Sequence, residues 1–112
     1  MRKIAVPVNE KNELDAHFGH CKFFILADVE DKSIVKTEKV PAPPHEPGLL
    51  PKWLGEKSAT DIIAGGMGQQ AINLFMQNKI NVFVGAPAME ASELIKKFLN
   101  EELSFSSNYC NH

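Results

Sequence analysis

The chain has 112 residues, enough for one domain that buries roughly two thirds of the surface of its unfolded form, and too few for two. With 44% hydrophobic and 23% charged residues the composition is that of a globular protein, and a formal charge of -2 offers no broad attraction to phosphate backbones, which argues against nucleic acid as a partner. The amino-terminal apolar run is too short for a signal peptide or a membrane span, and two cysteines are too few for a disulfide scaffold, so the expectation is a cytoplasmic protein with no membrane association, whose thiols are free or serve as ligands.

"KIAVPV" at 3–8 alternates Ile4, Val6 and Val8 and predicts a short strand, with Pro7 at its end or at a bulge because proline cannot donate to a sheet ladder. "KFFILADV" at 22–29 is apolar on both faces and predicts a strand inside the sheet. After the tight connection "EDK", "SIVKTEKV" at 33–40 alternates charge with β-branched residues and predicts an antiparallel hairpin partner on a sheet edge. Five prolines and a glycine in "PAPPHEPGLLPK" at 41–52 predict a stiff, extended crossover, closed by a short helical turn at "WLGEKSA". "TDII" at 60–63 predicts a strand running into Ala64-Gly65-Gly66-Met67-Gly68, and Ala71, Leu74 and Phe75 then recur with helical spacing. The unit repeats: a strand at 80–86, "INVFVGA", is followed by "MEASELIKKFLNEEL", which sets Ala91, Leu94, Ile95, Phe98 and Leu99 on one helical face. The tail "SFSSNYCNH" has neither periodicity, and 103–112 is expected to be flexible. Three hairpin-connected strands followed by two strand-turn-helix units predict a single three-layer α/β domain over 1–112, with a mixed sheet of about five strands and flanking helices in a ribonuclease H-like arrangement.

Three places carry chemistry. In "HFGHC", His17, His20 and Cys21 supply the two best side-chain ligands for soft or borderline metals within five residues, and Gly19 permits a turn on which both imidazoles converge. The competing reading is a buried turn anchored by Phe18, with Cys21 as a small hydrophobe. At the other end of the chain, Cys110 and His112 are spaced so that both side chains of an extended segment point the same way, which suits a lid of ligands as well as it suits a loose terminus. His45, in the proline-rich connection, is a further candidate ligand and otherwise a surface histidine. Gly65, Gly66, Met67 and Gly68 lie at a strand-to-helix junction, where backbone N–H groups and the helix N-terminus favour an anionic ligand; close packing of strand on helix explains glycines there equally well. This run is neither a Walker A loop nor a full dinucleotide fingerprint.

Taken together, "KIAVPV", "LDAHFGHCKFFILADVED", "PHEPGLLPKWL", "IIAGGMGQQAINLF" and "GAPAMEASELIKKFL" resemble the dinitrogenase iron-molybdenum cofactor biosynthesis family, which includes NifX-type cofactor carriers and the carboxy-terminal domain of NifB. The resemblance runs from about residue 3 to residue 99, and "HFGH" before an aromatic strand and "GGMG" opening a helix are its most specific pieces. It implies a ribonuclease H-like fold and transient binding of an iron-sulfur or molybdenum-containing cluster. The expected function is then a non-catalytic carrier or scaffold, handing a cluster or its precursor between donor and acceptor proteins. His17, His20 and Cys21, with Cys110 and His112, are the expected metal ligands, and the amides around Gly65 to Gly68 the expected cofactor-binding surface. The alternative is an interaction or regulatory module that partners a P-loop ATPase in iron-sulfur assembly and binds no metal. An enzyme is not expected: a two-metal nuclease of this fold needs clustered carboxylates, one on the first strand, whereas "IAVPV" has none and Asp15, Asp28 and Asp61 fall on different elements.

Overall fold

A computed structural model describes residues 2–15, 21–43 and 49–101. The strands are β1 (Arg2–Val8), β2 (Phe23–Glu30), β3 (Ser33–Pro41), β4 (Asp61–Ala64) and β5 (Asn81–Val84), and the helices are α1 (Leu49–Glu56), α2 (Gln69–Gln77) and α3 (Ala91–Leu99). The strands form one mixed sheet in the order β3-β2-β1-β4-β5, antiparallel in its first two pairings and parallel in the last two. This is the expected α/β domain with a five-stranded mixed sheet.

The alternation along each strand sorts side chains onto two faces. Ile4, Val6, Ile25, Ala27 and Ile63 join Ala91, Leu94, Ile95 and Leu99 of α3 in one apolar cluster. Ala5, Phe24, Leu26, Ile62, Val82 and Val84 join Leu50 and Leu54 of α1 and Ile72 and Phe75 of α2 in the other. β2 is covered on both faces, as its double apolar pattern requires, whereas β3 is almost wholly exposed and lies at the edge. Pro7 sits past the last β1–β4 pairs, Ile4 with Asp61 and Ala5 with Ile62, so its missing N–H costs no ladder bond on that side.

One expectation needs correction. The crossover does not stay extended through residue 52: α1 begins at Leu49 and takes in Pro51. A proline in the first turn costs nothing there because the first amides of a helix have no intrahelical partner, and Leu50 and Leu54, four apart, seat the helix on the sheet. The buried stripe of α2 is Ile72 and Phe75, with Ala71 and Leu74 only half-buried beside it. On α3 the expected face is the buried one, with Phe98 partly buried, and Glu90 caps the helix by accepting a hydrogen bond from the Glu93 N–H.

The "EDK" connection is a two-residue hairpin loop. Asp31 (φ 51°) and Lys32 (φ 64°) both lie in the left-handed region, as a type I′ turn demands.

Candidate functional site

Parallel pairing puts the starts of β1, β4 and β5 at one end of the sheet and their ends at the other, and the two ends differ in chemistry. At the starting end, Asp61, only 1% exposed, is the single buried charged residue among those described. It accepts hydrogen bonds from Arg2 Nε (3.1 Å), Thr60 Oγ1 (2.7 Å) and Asn81 Nδ2 (3.1 Å). Arg2 also lies 5.1 Å over the Phe98 ring, which meets Phe83 edge-on at 4.9 Å. The network is saturated by structural partners and fastens β1, β4 and β5 together.

The finishing end collects loops, where ligands of open α/β sheets bind. The segment after β1 folds back, with the Asp15 N–H donating to Pro7 O (2.9 Å) and the Leu14 N–H to Met89 O (2.9 Å) in the β5–α3 loop. The Ala91 N–H donates to Asn12 O (2.8 Å), and the Gly85 N–H to Gly65 O (3.1 Å). Backbone bonds therefore tie the loops after β1, β4 and β5 into one platform. Gly85, at φ 92°, adopts a conformation that an L side chain resists.

Cys21 lies two residues before β2, at this same end, because Phe23 pairs with Val8, the last residue of β1. It is half-buried, neither the fully buried hydrophobe of the bland reading nor an exposed thiol, and packs with Met67 and Trp53 against the α1/α2 cluster. Burial, and secondarily the negative charge of Asp15, push its thiol up from 9.0 to about 11. The group rests as a thiol, and a metal that took it as a ligand would have to displace the proton. Asp15, read from the sequence only as a scattered carboxylate, is thus an electrostatic neighbour of Cys21; its place directly before "AHFGHC" was the available signal. It also lines an open cleft of about 310 Å³ with Asn9, Glu10, Lys11, Glu13 and Lys22, where the Lys22 ammonium holds the Glu10 carboxyl below its usual range.

Gly65, Gly66, Met67 and Gly68 connect β4 to α2 at the same end. Gly68 is the N-cap of α2 (φ -69°, ψ 155°) and offers no side-chain cap. A Cβ placed on Gly66 or on Gly68 would meet nothing within 4 Å, and neither residue has a positive φ. Close packing therefore does not account for these two exposed glycines. His17, His20, His45, Cys110 and His112 lie outside the described residues, as does the tail 103–112. Among the described residues no three His, Cys, Asp or Glu side chains are grouped as metal ligands; Cys21, Asp15 and the glycine loop lie at one end of the sheet. Asp28 instead faces Lys3 at 3.8 Å.

The chain is thus a small mixed α/β domain with a thiol and a glycine-rich helix start at the finishing end of its parallel strands. The sequence pattern of the family "Dinitrogenase iron-molybdenum cofactor" matches residues 1–101, and the chain belongs to that family. It is 30% identical over 108 residues to the protein MJ0580 of Methanocaldococcus jannaschii, covering 92% of this chain and 90% of that one. Its fold is similar to the crystal structure of PH0822 (TM-score 0.83, 27% identity, 94% of this chain and 95% of the other). It is also similar to the apo form of the orange protein from Desulfovibrio gigas (TM-score 0.79, 18% identity, 99% and 98% coverage), a likeness that concerns the fold alone. Among the described residues no helix is long and apolar enough to cross a membrane.

Proposed function

We propose that this chain is a non-catalytic carrier or scaffold in iron-molybdenum cofactor assembly, holding an iron-sulfur or molybdenum-containing cluster, or its precursor, as cargo between donor and acceptor proteins of the cytoplasm. The observation that carries the reading is the end of the sheet that bears both Cys21 and the unencumbered Gly66 and Gly68, in a chain of this family. Cys21 serves as a thiolate ligand with His17 and His20, and Cys110 and His112 complete the set. The amides at Gly65 to Gly68 and the start of α2 receive the anionic face of the cargo. A half-buried thiol that must give up a proton binds weakly enough to release, as a carrier requires. The strand order, with β2 reversed against a parallel β1-β4-β5 set, supports the ribonuclease H-like reading of the architecture.

Anaerobic reconstitution with iron, sulfide and molybdate tests this, read by metal content and visible absorption. The wild type is expected to take up metal, and a variant with His17, His20 and Cys21 all changed to Ala to take up far less; equal uptake by the two would refute the carrier role. The glycine loop separates stability from loading. Gly66→Ala and Gly68→Ser are each expected to raise unfolding free energy in urea by about 0.5–1 kcal/mol, through lost unfolded-state entropy and, at Gly68, a gained cap. Both should lower cluster uptake, because the added atoms stand over the amides or compete for them.

A further inference from the structure

We propose that β3 is the interface of a symmetric dimer, in which the edge strands of two copies pair antiparallel about a two-fold axis at Thr37 and join their sheets into one of ten strands. Lys36, Thr37, Glu38 and Lys39 are all exposed, and Val35, 57% exposed, is one of two large hydrophobic residues in the open among those described. The parity of the edge follows from its inner ladder. The Ala42 N–H donates to Lys22 O (2.9 Å), so by alternation the pairs Val40–Phe24, Glu38–Leu26 and Lys36–Asp28 exchange hydrogen bonds with β2. The backbone groups of Thr37 and Lys39 therefore face outward.

An antiparallel pairing centred on Thr37 uses that parity. Thr37 and the partner's Thr37 exchange both backbone bonds, and Lys39 comes opposite the partner's Val35. Lys36 falls directly opposite the partner's Glu38, and Glu38 opposite the partner's Lys36, in the closely spaced positions where side chains interact most. Neither residue has an ion pair with another described residue. Shifting the axis to Lys36, Glu38 or Lys39 sets like charges face to face, so charge selects the Thr37 register. Lysines, a bulge and a proline are also what edge strands use to resist pairing. Here the bulge leaves Val35 unmatched on β2 and Pro41 withholds an N–H, so these devices bound the pairable stretch on both sides and leave its middle free. A two-fold pairing consumes the β3 edge of both copies and closes, rather than propagating.

Sedimentation equilibrium of the full chain from micromolar to millimolar concentration provides the test. The wild type is expected to dimerise, more weakly at high salt. Lys36→Glu and Glu38→Lys, each exposed and leaving the circular dichroism spectrum unchanged, should each raise the dimer dissociation constant about tenfold or more, since both cross-strand pairs become repulsive. The double swap should restore it, and an equimolar mixture of the two single variants should form a heterodimer. A wild type that stays monomeric over the range, single variants that dimerise as the wild type does, or a mixture that gains nothing over its components would each overturn the proposal.

Discussion

Iodoacetamide is expected to label Cys21 about tenfold more slowly at neutral pH in the folded protein than in the urea-unfolded chain. Raising the thiol from 9.0 to about 11 lowers the thiolate fraction at pH 7 about a hundredfold. A more basic thiolate is a better nucleophile, with a Brønsted slope of about 0.4–0.5, which returns somewhat less than tenfold. The fraction therefore outweighs the nucleophilicity. The rate should climb about tenfold per pH unit and level off only near 11, and mass spectrometry of the peptide that carries Cys21 keeps it distinct from Cys110. Equal rates in the two states at pH 7 would show that the fold does not shield the thiol. Asp15→Asn should speed labelling, but less than unfolding does, because burial is the larger cause and the Asp15 charge the smaller. Stability has the matching sign. The folded state keeps a proton that the unfolded chain loses first, so the contribution is whole below about pH 9 and is lost as pH rises through about 11. The same proton must leave when a metal binds, so uptake through Cys21 becomes more favourable with rising pH over that range.

Asp61→Ala is expected to cost about 2–4 kcal/mol of unfolding free energy, measured in urea by circular dichroism. Three donors converge on a carboxylate that is 1% exposed, and hydrogen bonds to a buried charge are the strong ones. The figure stays below that of a fully enclosed ion pair because the Arg2 side chain is 46% exposed and recovers water when its partner is gone. Thr60 has one hydroxyl proton and two acceptors in reach, Asp61 at 2.7 Å and Lys3 O at 3.1 Å, so it too finds a substitute. Asp61→Asn keeps the shape and loses the charge, and should cost about half as much. A change below about 1 kcal/mol for the alanine variant would show that the network does not fasten the parallel strands. Because this end of the sheet lies opposite the glycine loop, residual folded Asp61→Ala protein should load cluster as the wild type does.

Much of the architecture is legible in the chain because period two and period 3.6 alternate cleanly. β2 shows its two covered faces in "FFILADV", β3 its exposure in "KTEK", and α3 its buried stripe from Ala91 to Leu99. The beginning of α1 was obscured by composition: prolines suggested an extended crossover, although Leu50 and Leu54 already had the spacing of a helix that uses Pro51 in its first turn. The Asp61 network could not be read, because Arg2 and Asn81 stand 59 and 20 residues away and become neighbours only when β1 and β5 flank β4. At the candidate site, "HFGHC" and "GGMG" supply candidate residue types, but the half-burial of Cys21, the nearby charge of Asp15, and the room around Gly66 and Gly68 follow from which strands adjoin. At Gly66 and Gly68 the geometry removes close packing, one of the two explanations the sequence leaves open.

The sheet divides the apolar interior into two clusters, and Cys21 and Met67 belong to the one shared with α1 and α2. Substitutions beneath α3 can change how firmly the molecule holds together while the apolar side chains around the thiol keep their packing, because between the two lies a layer of hydrogen-bonded backbone. Packing beneath α3 and packing around Cys21 can thus vary independently, and a variant stabilised on the α3 side should keep the slow iodoacetamide labelling of its parent.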